Sequence, residues 1–273
     1  MLNINFEGNP TLWELVNFAN EHNIDIYALL HTALIKEALV TEEQKLLSNF
    51  IESVGDKNKI IKSQLLQDVF ASFIVGDLFD KTFLEFGATD GISLSNSYML
   101  ENNFGWTGIL AEPSPQWHEE LKNNRPNTKI ITDCIWKCSG EKLDFFVSDF
   151  GVLSTLVDFK YSDLSSMPGN TQARIKDGKV VKVETISLND VMEKDFNGDT
   201  PSYLSIDTEG SEYEILQSLD FEKYRPVVFT IEHNYTNLQN KIDELMISKG
   251  YVRVFRKITS FDAWYVRTDI MKY

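Results

Sequence analysis

Residues Phe83 to Pro113 constrain the fold of this 273-residue chain more than any other stretch. An apolar run that contains Glu85 leads into a turn with a glycine at each end, Gly87 and Gly91. A helical pattern follows from Leu94, and a second apolar run ends at Glu112. Strand, glycine turn, helix and strand in this order are typical of an open α/β sheet. Such a sheet binds nucleoside-bearing ligands outside the carboxyl ends of its strands.

Strand and helix patterns alternate through most of residues 83–250 and predict a largely parallel, doubly wound sheet. The apolar runs predict one strand at Lys129–Trp136, a hairpin partner for it at Leu143–Val147, and further strands at 180–186, 202–206 and 227–231. Alternating residues at 251–258 and 261–267 predict two antiparallel strands that close the sheet.

The segment before this sheet has a helical pattern and almost no glycine. Capping-box sequences at Thr11–Glu14 and Thr41–Gln44 precede apolar residues at helical spacing. We therefore expect a helical N-terminal appendage at 1–60 and a catalytic domain at 61–273. Packing on that domain is the simplest role for the appendage, and its apolar faces are also compatible with a homodimer. A polar helix face is expected at Ser63, Gln64, Gln67 and Asp68.

Residues 148–180 have no sustained periodicity, which is typical of a functional loop. We expect a substrate lid or insertion here. If the substrate is a phosphorylated or nucleotide-linked sugar, Arg174, Lys176 and Lys179 are the expected contacts for its phosphates.

The net charge of −15 and the lack of a long Lys/Arg run argue against nucleic acid as a partner. The N-terminus has no signal-peptide pattern, and no apolar stretch approaches the ~20 residues of a membrane span. Two cysteines, Cys134 and Cys138, are too few for a disulfide framework. These features predict a cytoplasmic enzyme or binding protein.

The first turn is G-x-x-x-G rather than the G-x-G-x-x-G of dinucleotide-binding loops. Glu85 at the strand end would repel a pyrophosphate and suits a cation. S-adenosylmethionine carries an ammonium and a sulfonium and no phosphate. Glu112 suits its ribose diol, and Asp133 at the third strand is placed to accept from its adenine amino group. The residues therefore favour S-adenosylmethionine over NAD.

Several of these motifs together resemble the FkbM-type S-adenosylmethionine-dependent methyltransferases. The resemblance extends over about 63–235 and depends on the runs Phe83–Gly91, Leu94–Asn96, Leu100–Glu101, Gly105–Gly108, Glu112–Pro113 and Asp207–Glu212, with Ser63–Gln64 and Gln67–Asp68 upstream. Ala88-Thr89-Asp90 departs from the small residue and asparagine that the family usually has after the first glycine.

The resemblance implies a Rossmann-like class I methyltransferase fold with a seven-stranded sheet. It implies an O-methyltransferase that acts on a hydroxyl of a sugar, glycan precursor or secondary metabolite. The cofactor residues that it implies are Gln64, Asp68, Glu85, Gly87, Ala88, Thr89, Asp90, Gly91, Ser95, Asn96, Glu112, Pro113, Asp133, Cys134 and Asp207.

The reaction needs a base for the acceptor hydroxyl, because the methyl group of a sulfonium is already activated. Candidates at two neighbouring strand ends are His233, Asp207, Glu209, Glu212 and Glu232. His233 is neutral near pH 7 and suits the role, although an orienting histidine is an equal alternative. Asp207 could hold the acceptor hydroxyl or the cofactor ammonium.

Mg²⁺ on Asp207, Glu209 or Glu232 is chemically compatible with their oxygen ligands, but sequence fixes no octahedral geometry, so we predict no metal site. Two other functions stay open at this point: an NAD-dependent sugar oxidoreductase or epimerase, and a cofactor-binding protein without catalysis.

Overall fold

Seven strands form the central sheet of the computed structural model, which describes residues 10–34, 41–55, 57 and 60–271. In spatial order they are β10 (Tyr251–Val254), β11 (Asp262–Arg267), β9 (Val228–Glu232), β8 (Tyr203–Ile206), β1 (Thr82–Phe86), β2 (Thr107–Ala111) and β3 (Lys129–Ile131). Neighbouring strands from β9 to β3 are parallel, and β11 runs antiparallel to both β9 and β10. This confirms the predicted mostly parallel, doubly wound sheet.

Helices cover both faces of the sheet. They are α1 (Leu12–His22), α2 (Ile26–Leu34), α3 (Glu42–Gly55), α4 (Gln67–Val75), α5 (Tyr98–Phe104), α6 (His118–Asn124), α7 (Pro168–Lys176), α8 (Leu188–Asp195), α9 (Glu212–Ser218) and α10 (Leu238–Ser248). Successive residues of β1 enter different apolar clusters: Phe83 joins one and Leu84 the other. Because side chains alternate along a strand, this placement shows that both sheet faces are buried.

Helices α1 to α3 form at the predicted positions and pack on the sheet domain. Thr11 and Glu14 form the predicted capping box. The ring of Phe50 lies 5.9 Å from that of Phe70 and 5.8 Å from that of Trp264, so α3 shares a core with α4 and β11. Residues 1–9, 35–40, 56, 58 and 59 of the predicted appendage lie outside the described residues, and the boundary at residue 60 stays a prediction.

A second sheet has the order β4 (Cys134–Trp136), β7 (Gly178–Ser187), β5 (Lys142–Ser148) and β6 (Thr155–Leu156). The prediction of one strand at 129–136 was wrong, because the chain leaves the central sheet after Ile131 and β4 pairs with β7. The predicted hairpin between that strand and β5 was also wrong. The antiparallel partners of β5 are β7 and β6.

The segment 148–180 has more regular structure than its sequence pattern indicates. It contains two 3₁₀ turns (Gly151–Leu153 and Val157–Phe159), strand β6 and helix α7. The segment joins β5 to β7 across the second sheet and approaches the loop after β8, where the Thr155 hydroxyl bonds to the Thr208 carbonyl. We call residues 148–180 the inserted segment.

Two helix starts differ from the prediction. Helix α4 begins at Gln67, after Leu66 with a φ of 70°, so Ser63 and Gln64 precede the helix and share no helical face with Gln67 and Asp68. Helix α5 begins at Tyr98 rather than Leu94. No helix within the described ranges is both long and apolar enough to span a lipid bilayer.

Candidate functional site

A cavity opens at the carboxyl ends of β1, β2, β8 and β9, where the sequence predicts a ligand crevice. Most of the predicted cofactor residues line it: Gln64, Glu85, Gly87, Ala88, Thr89, Ser95, Asn96, Glu112, Pro113, Cys134 and Asp207. Three of the predicted catalytic residues also line it: Asp207, Glu209 and Glu232. Asp68, Asp90, Gly91, Asp133 and His233 lie outside its wall.

Glu85 has a buried carboxylate that the loop before α5 surrounds with donors. It accepts hydrogen bonds from the Ser95 hydroxyl at 3.0 Å, from the backbone N–H of Asn96 at 2.7 Å, and from the Ser97 hydroxyl. The carboxylate therefore shapes this loop as well as placing negative charge in the cavity wall.

Glu112 is tied to the glycine turn. Its carboxylate accepts the N–H of Thr89 at 2.9 Å and the N–H of Ser114 at 2.7 Å. Burial raises the pKa of Glu112 to about 7, and the two backbone donors oppose that rise. Each oxygen keeps a lone pair for a ligand, so the predicted ribose contact fits the geometry. The neighbouring Cys134 thiol is kept protonated by burial, which raises its pKa to about 12.

The glycines of the first turn are needed for packing within the protein, and Gly87 also lines the cavity. A β-carbon on Gly87, where φ is +80°, would lie 2.1 Å from the carbonyl oxygen of Asp207. One on Gly91 would lie 2.6 Å from Leu121 and 2.8 Å from Arg125. The turn therefore packs closely against the loop after β8 at Gly87.

Three predicted cofactor residues have structural roles or positions instead. The Asp68 carboxylate accepts from the Ser63 hydroxyl and the N–H of Val69, which orders the start of α4. Asp90 accepts the N–H groups of Ile92 and Ser93. Asp133 is half-buried at the crossing between the two sheets, and the neighbouring Cys134 and Ile135 line the cavity in its place.

Asp207, Glu209 and Glu232 form a carboxylate cluster in which one oxygen of each lies within 4.8 Å of the others. Asp207 and Glu209 follow β8, and Glu232 ends β9, so the adjacent parallel strands bring them together. Burial, with the charges of Glu212 and Asp262, raises the pKa of Asp207 to about 7, while a hydrogen bond from Glu232 opposes the rise. Burial and the charge of Asp207 raise the pKa of Glu232 well above its usual range. The two carboxyls therefore share a proton near neutral pH.

His233 is not placed to act as the predicted general base. Its Nδ1 accepts the N–H of Tyr235 at 3.0 Å, and its Nε2 lies 3.1 Å from Nη2 of Arg253. Burial and the charge of Arg253 lower the pKa of His233 to about 4. The ring is 3% exposed and lies behind the cavity wall, so it orients the turn after β9.

Sequence reasoning missed Asp262, the first residue of β11, which also lines the cavity. Its carboxylate accepts from the Gln67 amide at 3.2 Å and the Trp264 indole at 2.9 Å. Burial raises its pKa to about 7. The sequence feature that could have indicated Asp262 is an acidic residue directly before an apolar run. Asp262 faces the cavity because it pairs with Glu232 in the antiparallel register of β11 and β9.

The described residues that line the cavity include six carboxylates and no lysine, arginine or histidine. The predicted phosphate contacts of the inserted segment are not available there. Arg174 is fully buried and paired with Asp163 and Glu209, and Lys176 and Lys179 are exposed outside the wall. The expectation was therefore wrong for Arg174, whose donors are used within the protein, and it stays a prediction for Lys176 and Lys179.

The wall suits a cationic ligand that brings hydrogen-bond donors. Asn96 lines it, and Oδ1 of Asn96 is buried without a hydrogen-bond partner in the described part of the chain. The amide nitrogen of the same side chain is held by the Ser205 hydroxyl at 2.9 Å, so the orientation of the amide is fixed. An ammonium group fits this acceptor. The carboxylate cluster has oxygen ligands of the type that Mg²⁺ prefers, and the predicted absence of a metal stays a prediction.

Comparison with solved structures finds distant similarity to methyltransferases. Methyltransferase FkbM from Methylobacillus flagellatus is 12% identical with a TM-score of 0.42, over 89% of this chain and 61% of that one. Precorrin-6y C5,15-methyltransferase from Geobacter metallireducens is 12% identical with a TM-score of 0.38, over 76% and 89% of the two chains. An O-methyltransferase family protein from Burkholderia thailandensis is 12% identical with a TM-score of 0.33, over 92% and 86%.

The chain thus spans about three-fifths of the length of the Methylobacillus protein, 61%. Comparison with curated proteins found no match. The family model that matches is the methyltransferase FkbM domain, over residues 85–253. This match runs from Glu85 in β1 to Arg253 in β10, covers well over half of the 273 residues, and includes the whole carboxylate cluster. The chain therefore belongs to the methyltransferase FkbM domain family.

Proposed function

We propose that this protein transfers a methyl group from S-adenosylmethionine to a hydroxyl oxygen of a sugar, a glycan precursor or a secondary metabolite. The observation that carries the proposal is the carboxylate cluster of Asp207, Glu209 and Glu232. It lies in the wall of the same cavity as Glu85, Glu112 and the glycine turn. One cavity therefore offers a nucleoside-binding half and a proton-accepting half.

The cofactor half would hold S-adenosylmethionine through groups that are already oriented. Glu112 would accept from the ribose hydroxyls, and Asn96 Oδ1 would accept from the ammonium group. Cys134 and Ile135 would pack beside the adenine ring of the cofactor. Bound S-adenosylmethionine supplies an activated methyl group, so the protein has to align the acceptor and take its proton.

The pair Asp207 and Glu232 is the proton acceptor in this proposal. Near neutral pH the pair holds one proton, with Glu232 as the donor in the hydrogen bond and Asp207 as the anion. A carboxylate with a pKa of about 7 is a better base at that pH than an ordinary aspartate. The hydroxyl proton would move to an Asp207 oxygen as the oxygen–methyl bond forms, while the sulfur–methyl bond would break and leave S-adenosylhomocysteine as the second product.

The charge of the wall supports an acceptor whose reacting end is uncharged. Six carboxylates and no basic side chain line the described cavity, so a phosphate there would be repelled. A neutral sugar hydroxyl meets no such repulsion. If the acceptor is nucleotide-linked, its phosphates would have to stay outside the cavity.

Two measurements test the proposal. Titration calorimetry should give a binding heat with S-adenosylmethionine and none with NAD. The protein should then transfer a deuterated methyl group from the cofactor to the oxygen of one member of a panel of neutral sugars and polyols, detected by mass spectrometry. Binding of NAD alone would reject the proposal. Cofactor binding without transfer to any panel member or glycan extract would favour a non-catalytic protein.

A further inference from the structure

The guanidinium of Arg174 joins the inserted segment to the carboxylate cluster. The side chain is fully buried, and its N–H groups are all used. It donates to the carbonyls of Leu153 (2.9 Å) and Lys160 (3.2 Å), to both oxygens of Asp163 (2.7 and 3.1 Å), and to Glu209 (2.6 Å). The guanidinium is planar and has five N–H donors at fixed angles. It therefore fixes the orientation of the groups that it contacts, as well as supplying a positive charge. The Glu209 carboxylate is thus held in one orientation from outside its own loop.

The same segment also shapes the backbone of that loop. The Thr155 hydroxyl bonds to the carbonyl oxygens of Thr208 and Glu209, each at 3.1 Å. Glu209 has a φ of +60°, which a residue with a side chain seldom adopts. At Gly210 a β-carbon would lie 2.5 Å from the Ser162 hydroxyl oxygen. Contacts from the inserted segment therefore stabilise the conformation of the loop after β8 in which Glu209 lines the cavity.

Glu209 is surrounded by acidic groups from several elements. Asp207 lies in its own loop, Asp163 in the inserted segment, Glu212 in α9 and Glu232 in β9. Burial and the charge of Asp207 raise its pKa well above the usual range, and the Arg174 charge opposes that rise. The other polar group that contacts its carboxylate is the Asn234 amide at 3.3 Å, which is uncharged. Arg174 is thus the cation in direct contact with the cluster among the described residues.

We propose that Arg174 is the positioning residue of the carboxylate cluster. From the inserted segment it holds Glu209 against Asp207 and Glu232 and supplies the cluster's positive counter-charge. The inference rests on the proposed function only for the use of the cluster as proton acceptor. The contact itself makes the inserted segment part of the site, and not only a cover for it.

The test compares two substitutions that break the same buried ion pair from opposite sides. Arg174→Met removes the positive charge next to Glu209. Asp163→Asn removes the other negative charge that pairs with Arg174, so that Glu209 becomes the charged partner of Arg174 in this pair of contacts. Protein labelled with ¹³C at glutamate carboxyls is titrated by NMR in the presence of EDTA, and Glu209→Gln identifies the signal. Arg174→Lys keeps the charge without the fork.

We expect the Glu209 midpoint to rise by about 1 pH unit or more in Arg174→Met and to fall in Asp163→Asn. Arg174→Lys should stay within about half a unit of the wild type, because the charge is retained. A merely structural role predicts shifts of the same sign in both variants, since both lose the ion pair, and this result would overturn the proposal. An unchanged midpoint in Arg174→Met would do so as well.

If Arg174→Met does not fold, the sign of the shift in Asp163→Asn still decides, and a rise of the Glu209 midpoint in that variant would overturn the proposal. The titration needs neither cofactor nor acceptor. Failure to find methyl transfer would therefore reject the proposed function and leave the result for Arg174 intact.

Discussion

The two halves of the cavity contain the same residue type at the same sheet edge and use it differently. On the side of β1 and β2, Glu85 and Glu112 each accept hydrogen bonds from nearby backbone N–H groups, and Glu85 also from hydroxyls. On the side of β8 and β9, Asp207 and Glu232 face each other and Glu209. A carboxylate satisfied by local donors organises its loop, whereas carboxylates that face one another are left to exchange protons.

The comparison is tested most strongly by Asp207→Asn. The amide cannot accept the hydroxyl proton, so we expect the methyl transfer rate to fall by about 10²- to 10⁴-fold. The affinity for S-adenosylmethionine should change little, because in the proposed complex Glu112 and Asn96 would supply the cofactor contacts. Rates come from labelled methyl transfer and affinities from calorimetry. A variant within tenfold of the wild-type rate would place the proton acceptor elsewhere.

The second prediction contrasts the two halves in stability. Glu85→Gln replaces a buried acceptor of three hydrogen bonds by an amide that mismatches its donors, so the free energy of unfolding should fall by about 2–4 kcal/mol. The matched change Glu232→Gln replaces a protonated carboxyl by an uncharged amide that still has a donor for Asp207, so it should change the free energy of unfolding by less than about 1 kcal/mol. Urea unfolding measures both. Equal decreases in the free energy of unfolding for the two variants would contradict the different roles that we assign to the carboxylates in the two halves of the cavity.

The third prediction concerns stability and pH. Burial raises the pKa of Asp68 to about 6 and those of Glu112, Asp207 and Asp262 to about 7. Between about pH 4 and 7 the folded protein keeps protons that the unfolded chain has lost, so stability falls as pH rises. We expect a decrease of at least about 2 kcal/mol from pH 5 to 8 by urea unfolding. Asp262→Asn should flatten this slope, and a rise of stability over the same range would contradict the account.

The smallest effect is expected from metal removal. If Asp207 and Glu232 are neutralised by a shared proton, EDTA should leave the transfer rate within about twofold. Mg²⁺ added back should then change nothing. Loss of transfer with EDTA and recovery with Mg²⁺ would instead make the carboxylate cluster a metal site.

Much of the fold follows from patterns along the chain. The apolar runs of β1, β2, β8 and β9 and the alternation of β10 and β11 predict the central sheet. The break after Ile131 could not be predicted, because Lys129–Trp136 reads as one apolar run while its second half pairs with β7 in another sheet. That pairing depends on a strand more than 40 residues later, Gly178–Ser187.

The site was predictable where it depends on strand ends and not where it depends on long-range packing. Asp207 and Glu232 end or follow adjacent strands, so their meeting was expected. Asp262 enters from an antiparallel strand, and its role depends on register with Glu232. Arg174 looks like a free surface cation in sequence, but the folded chain buries it against Asp163 and Glu209.

The central claim is that the coupled pair Asp207 and Glu232 takes the acceptor proton, and the pH profile of kcat/KM tests it most directly. For the wild type we expect kcat/KM to rise about tenfold per pH unit below an apparent pKa of about 7, and to level off above it. Glu232→Gln should leave that apparent pKa within about half a pH unit, because the amide is uncharged, like the protonated Glu232, and still has a donor for Asp207. A profile that is flat from about pH 5.5 to 8.5 in the wild type would contradict the account.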